Sequence, residues 1–171
     1  MSYFNNFSTI LYDPLGDGNA KLVTNILNRV RVRANMKKEI VMLDPYDVKE
    51  NETPEIVADK HHGSPYYHWI VMLLNNISDV NHDWVKSTRQ LQKYLTDKYT
   101  ETQLAETHHY EISQTSGDST IKIEVENTSY PSASAVTNYE YEVALNEQKR
   151  QIDLLRNDYL GYFEDEFKSL I

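Results

Sequence analysis

The chain has no cysteine. That removes disulfides, thiolate nucleophiles and thiolate-bound zinc, and it leaves packing as the source of stability, in keeping with folding in a reducing compartment. Long apolar runs are missing too. No stretch approaches the roughly eighteen apolar residues of a membrane-spanning helix, and the N-terminal MSYFNNFSTILYDP has neither a basic leader nor the apolar segment of a secretory signal. The expectation is a soluble chain, without a signal peptide and without membrane contact. Positive charge is in short supply: 17 Lys and Arg against 26 Asp and Glu give a formal charge of −9. Such a balance repels phosphate backbones and anionic lipid, so nucleic acid is not an expected partner. G-x-S-x-G, P-loop and G-x-G-x-x-G patterns are absent as well, which leaves acyl transfer, nucleotide hydrolysis and dinucleotide binding without support.

What the chain does have is length for one main domain with appendages, at 171 residues. It also has 13 tyrosines, side chains that pack while keeping a hydroxyl for water or a partner. Six histidines raise the question of a metal. The pairs His61-His62 and His108-His109 are sequence neighbours, which point in different directions on a helix or strand, and His62 and His68, across a Gly-Ser-Pro turn, do not form an H-E-x-x-H type site. No metal, cofactor or small-molecule substrate is expected. The carboxylate pairs Glu124 and Glu126, and Glu140 and Glu142, have no apolar wall in the sequence to keep one member protonated, as glycoside hydrolysis requires. The chain is therefore read as a non-enzyme.

Along the chain, residues 1–20 read as an arm, with Tyr3, Phe4, Phe7 and Tyr12 scattered among polar residues and turn signals at Asp13-Pro14 and in residues 16–19. Without periodicity the aromatics fit two roles equally: capping this chain's own core, or inserting into a neighbouring subunit. Arg29-Val30-Arg31-Val32-Arg33 alternates at period two, the pattern of a strand with one basic face, and residues 39–43 suggest another strand before a turn at Asp44-Pro45. Ser87 is placed to cap a helix through Leu91, Tyr94, Leu95 and Tyr99, spaced so that one face is buried. Residues 109–112 and 120–126 flank Ser116-Gly117-Asp118 as a β-hairpin. Residues 130–137 are rich in Ser, Pro and Ala and read as a linker. From residue 138 onward, Leu145, Gln148, Ile152, Leu155, Tyr159 and Tyr162 recur at four and three, a heptad seam interrupted by Gly161. A helix that short needs a partner, on this chain or another.

The most ordered stretch is residues 46–76. Tyr46-Asp47-Val48 is extended; Thr53-Pro54-Glu55 supplies an N-cap, a proline at the first helical position and an acid in the first turn. Gly63-Ser64-Pro65 stops that helix, and residues 67–74 form a second, apolar one ending at Asn75-Asn76. Trp69 and Leu73 fall on one helical face, so Trp69 reads as core, whereas Trp84, after the polar residues 79–83, reads as the exposed aromatic.

Tyr46, Val48, Thr53, Ile56, Ala58, Gly63 and Asn75 are similar to the pattern of the small LysM module. A longer series runs from Tyr3-Phe4 and Phe7 through residues 23–26, Thr53-Pro54-Glu55, Gly63-Ser64, His68-Trp69, Asn75-Asn76-Ile77, Asp83-Trp84, Lys98-Tyr99 and His109-Tyr110-Glu111 to Lys149-Arg150 and Ile152. In that order it resembles the baseplate wedge protein of contractile-tailed bacteriophages. His61-His62 departs from that family's pattern before the glycine.

The resemblance implies a structural subunit of the virion tail baseplate, assembled in the host cytoplasm. It would occur in multiple copies in a six-fold assembly, join adjacent wedges and contact other wedge and hub proteins. The expected fold is α+β: an arm over 1–20, a main domain over 21–104 holding a LysM-like strand-helix-helix core at 44–80, a β-hairpin over 105–130, and a linker with a C-terminal amphipathic docking helix over 131–171. Protein contacts are expected at Tyr3, Phe4, Phe7, Tyr12, Trp84, Leu145, Ile152, Leu155 and Tyr159. The alternative is a LysM-type module that binds peptidoglycan or chitin, with its groove around residues 49–53 and 75–77.

Overall fold

The computed structural model describes residues 3–27, 30, 42–118, 120–127 and 129–171. After a 3-10 turn at Tyr3–Asn6 come strands β1 (Thr9–Tyr12), β2 (Lys21–Thr24) and β3 (Leu43–Asp47). Helices α1 (Pro54–His62), α2 (His68–Leu74), α3 (Val80–Asp83), α4 (Thr88–Lys98) and α5 (Glu101–Ala105) follow. Then come β4 (Thr107–Ser113), β5 (Lys122–Val125), β6 (Ser134–Thr137), α6 (Asn138–Gln148), β7 (Gln151–Leu155) and α7 (Leu160–Ser169). The expected α+β class is the one observed. The Arg/Val strand expected at 29–33, apart from Val30, which packs against the core, and most of the strand expected at 39–43 lie outside the described residues.

The chain divides into two compact units, Met1–Trp84 with Gln151–Ile171, and Val85–Arg150. In the first, the strand, helix, turn, helix order is present as read from the sequence. Thr53 is the N-cap, Pro54 opens α1, and Gly63 closes it at φ 74°, where its N–H donates to the Asp59 carbonyl. Only a residue without Cβ takes that backbone conformation at no cost. A 3-10 turn at Pro65–Tyr67 leads into α2, and His68 Nδ1 bonds the Pro65 carbonyl at 2.9 Å, anchoring the helix start.

β3 corrects one expectation, since it runs straight through Asp44-Pro45 where a turn was anticipated. β7, antiparallel to it, sets Leu43 opposite Leu155, Pro45 opposite Asp153 and Tyr46 opposite Ile152. The Asn75 side chain accepts from Asp153 N and donates to Asp153 O, at 2.9 and 2.8 Å. Those backbone groups therefore point away from β3, and Pro45 opposite them faces outward too, where its missing N–H breaks no ladder bond.

The C-terminal region is the larger correction. Residues 138–162 do not form one heptad helix; α6 ends at Gln148, residues 151–155 are a strand, and a new helix starts at Leu160. Ile152, Leu154 and Leu155 are buried in β7, and Phe163 and Phe167, one turn apart on α7, join Phe7, Trp69, Ile70, Leu74 and Leu155 in the core. Ile and Leu at three and four spacing suit a helix, but β3 supplied a strand partner that local periodicity could not reveal.

In the second unit three capping boxes start the helices: Ser87 with Gln90 at α4, Thr100 with Gln103 at α5, and Thr137 with Glu140 at α6. β4 and β5 form the expected hairpin, and β6 pairs on the other side of β4 in the order β5-β4-β6. The expected linker thus contains a strand. A buried Glu142 on α6 accepts from Lys98 Nζ and Tyr99 Oη, and a buried Asn146 exchanges two hydrogen bonds with the Lys86 backbone. Among the described residues the buried apolar side chains of this unit are Val85 and Leu95.

Candidate interaction surfaces

Of the two roles the sequence left open for the N-terminal aromatics, Tyr3 and Phe7 take the first. Tyr3 packs edge-on against Phe7, with ring centroids 4.9 Å apart, and lies 5.6 Å from both Trp69 and Phe167, so these rings cap the chain's own core. Phe4 and Tyr12 are exposed. Tyr12 belongs to the β1–β2 hairpin, in which Leu11 sits opposite Leu22 and Ile10 opposite Val23, so both faces are apolar. Leu11 and Leu22 are 73% and 68% exposed, and Leu15, Ile26 and Leu27 beside them are exposed too. None of these five was among the contact residues expected from the sequence, although apolar residues on both sides of a turn-flanked strand pair are a readable sign. Two-stranded ribbons are marginal alone, and apolar side chains on both faces need a cover.

Trp84, expected to be exposed, is buried, and its indole N–H donates to the Glu52 carbonyl at 2.8 Å. Phe7, Ile152 and Leu155 are likewise inside the first unit. Leu145 on α6 and Tyr159 before α7 are half-buried, and Tyr159 packs on the core cluster. Of the nine side chains expected to make contacts, Phe4 and Tyr12 present open surface.

The polar residues are engaged internally. Glu52 is buried yet accepts from Lys60 Nζ, Tyr46 Oη and the Lys49 N–H. Burial pushes its carboxyl up, but hydrogen bonds from Lys60, Lys49 and Tyr46 outweigh that and hold it below the ordinary value. Glu142 behaves alike: burial raises it, and Lys98 and Tyr99 more than compensate. Both are ionised anchors, not proton donors. The histidines have positions of their own. His61 Nε2 bonds the Leu155 carbonyl at 3.0 Å, and His62 Nδ1 bonds Asn157 Oδ1 at 2.8 Å, while Asn157 Nδ2 donates to the His61 carbonyl. The pair at the end of α1 thus clasps the chain where it leaves β7. His108 stacks on Tyr141 with centroids 3.8 Å apart, and His108 Nδ1 lies 2.9 Å from His109 Nδ1. Among the described residues no three His, Asp or Glu converge as a metal site, and no helix is long and apolar enough to cross a membrane.

Exposed apolar side chains on the β1–β2 hairpin thus accompany buried carboxylates that are paired within the chain. Residues 20–133 match the family model described as "Base plate wedge protein 53". A search of curated proteins returns no match.

Proposed function

The chain belongs to the base plate wedge protein 53 family, which makes it a structural component of the phage tail baseplate, and we propose that within the baseplate it joins adjacent wedges. The reading is carried by one observation: each of its two units leaves apolar surface uncovered. The hairpin residues Leu11, Tyr12 and Leu22 do so in the first unit, and Ile121, Ile123 and Tyr130 in the second. A subunit that offers apolar surface on each of its units suits contact with more than one neighbour, and modest contacts add steeply when a ring closes. Its partners are other wedge and hub proteins, in multiple copies around a six-fold plate. No catalytic residue, cofactor or metal enters this reading.

The alternative of a sugar groove at residues 49–53 and 75–77 fits less well. The Lys49 N–H and the Glu52 carboxylate bond each other, and the Asn75 amide is committed to Asp153, so these groups are already occupied. Electron microscopy of tails assembled with and without this chain tests the proposal. Unjoined wedges in its absence are expected; closed plates at normal yield would overturn it.

A further inference from the structure

Neighbouring residues of a regular strand point to opposite faces, yet His108 and His109 at the start of β4 lie together. β4 pairs Thr107 with Thr137 and His109 with Val136, two steps along β4 for one along β6, so His108 is the extra residue of a β-bulge. The bulge turns both side chains toward one tyrosine of α6. The Tyr141 ring stacks on His108 with centroids 3.8 Å apart and meets His109 edge-on at 5.9 Å. The two Nδ1 atoms end 2.9 Å from each other. His108 is exposed and His109 half-buried, so solvent ions reach the pair. The other four histidines each bond a carbonyl, amide or carboxylate oxygen, whereas these two bond one another.

That spacing suits a hydrogen bond in which one ring donates and the other accepts, and it is also the spacing of two ligands on a single ion. An ion about 2.0–2.1 Å from each of two imidazole nitrogens holds them about 2.8–3.0 Å apart at a right angle and about 3.3–3.4 Å apart at the tetrahedral angle. The observed 2.9 Å is the right-angle value. Tetragonal coordination by nitrogen and oxygen belongs to Cu(II) and Ni(II); Mg(II) and Ca(II) prefer oxygen ligands. Stacking on Tyr141 already holds the His108 ring, so little side-chain freedom remains to be lost on binding. Charge favours a cation as well. The chain carries a net −9, and the ionised Glu142 interacts electrostatically with His108.

We propose that His108 Nδ1 and His109 Nδ1 together chelate one divalent transition-metal ion of right-angle coordination, Ni(II) or Cu(II), with water in its remaining positions. The ring that donates in the metal-free pair moves its proton to Nε2, so both Nδ1 lone pairs face the ion and both imidazoles stay neutral. The full chain, prepared without a histidine tag, is titrated with Ni(II), Cu(II), Zn(II) and Mg(II) by calorimetry near neutral pH. One Ni(II) per chain should bind with a micromolar Kd, at least about tenfold tighter than Zn(II), and raise the melting temperature; Mg(II) should not compete. His108→Gln and His109→Gln should each weaken Ni(II) binding at least about tenfold. His82→Gln removes an exposed imidazole beside Asp79 and should leave the binding unchanged. Circular dichroism verifies that the variants fold. Where a substitution disturbs the bulge, electron paramagnetic resonance of Cu(II) on the unaltered chain decides, and two imidazole nitrogens in the copper plane are expected. A spectrum with one nitrogen, Ni(II) binding that survives His109→Gln, or binding lost with His82→Gln would overturn the site. Zn(II) bound as tightly as Ni(II) would overturn the right-angle geometry, and the absence of any saturable binding would leave the pair as a hydrogen bond alone.

Discussion

Trp69 is where the aromatic packing of the first unit converges, 4.6 Å from the Phe167 ring and 6.1 Å from Phe163. Trp69→Ala should therefore cost about 3–5 kcal/mol, from lost burial and the cavity left behind, a large part of the stability of a typical domain. Denaturant unfolding checks it; a midpoint close to the parent's would mean that the ring is not core. His62 yields a pH prediction. Asn157 Nδ2 donates to the His61 carbonyl, so its Oδ1 is the acceptor and the His62 proton sits on Nδ1. The other ring nitrogen, Nε2, is buried without a partner among the described residues. Burial depresses this imidazole most, His61 adds to the effect, and the Asn157 bond opposes it. The unfolded chain then takes up a proton that the folded one refuses. Stability should fall as the pH drops below about 6.5, the unfolded value, and His62→Gln should flatten the melting temperature between pH 7.5 and 5.5. A profile unchanged by the substitution would assign the acid sensitivity elsewhere. Glu52 acts in a lower window. Its folded carboxyl titrates below the ordinary value, so its contribution is complete above about pH 4.3 and is lost as the pH falls through the folded value. Glu52→Gln should lower stability at neutral pH and reduce the further loss between pH 5 and 3.

At the scale of the element, α1 has both ends specified locally. Gly63 takes φ 74° with open space where a Cβ would be, so Gly63→Ala meets no clash and pays only for the left-handed backbone, roughly 1–2 kcal/mol. Thr53→Ala removes the N-cap and should cost about 1 kcal/mol. The two ends are a helix apart and share no partner, so the double variant should show the sum of the two losses within about 0.5 kcal/mol; a clear departure would mean that the ends are coupled through the fold. Caps of this kind were readable because they depend on residues three or four apart. The histidines after them were not. The use of His61-His62 became visible only once residues 155–157 were seen beside it.

For the whole molecule, the decisive feature is that the first unit is discontinuous, closed by Gln151–Ile171 after the second unit. A chain cut after Ala135 would lose β7, Leu154, Leu155, Phe163 and Phe167, half of the β3 sheet and a large part of the core. The truncated protein should show no cooperative melt. A sharp transition near that of the full chain would mean that the C-terminal segment docks elsewhere, as the heptad reading had it.

Sequence alone determined the α+β class, the absence of disulfides, the helix caps at Thr53, Ser87 and Gly63, the hairpin around Gly117, the core position of Trp69 and the resemblance to a baseplate family. Each of these is local in the chain or additive over it. Tertiary structure decided what depends on distant partners: that Ile152 and Leu155 belong to a strand because β3 lies beside them, that Trp84 turns inward to the Glu52 carbonyl, and that residues 134–137 add a third strand to the hairpin. A side chain's neighbours across the chain set its burial, and the spacing of residues along the chain carries no record of them.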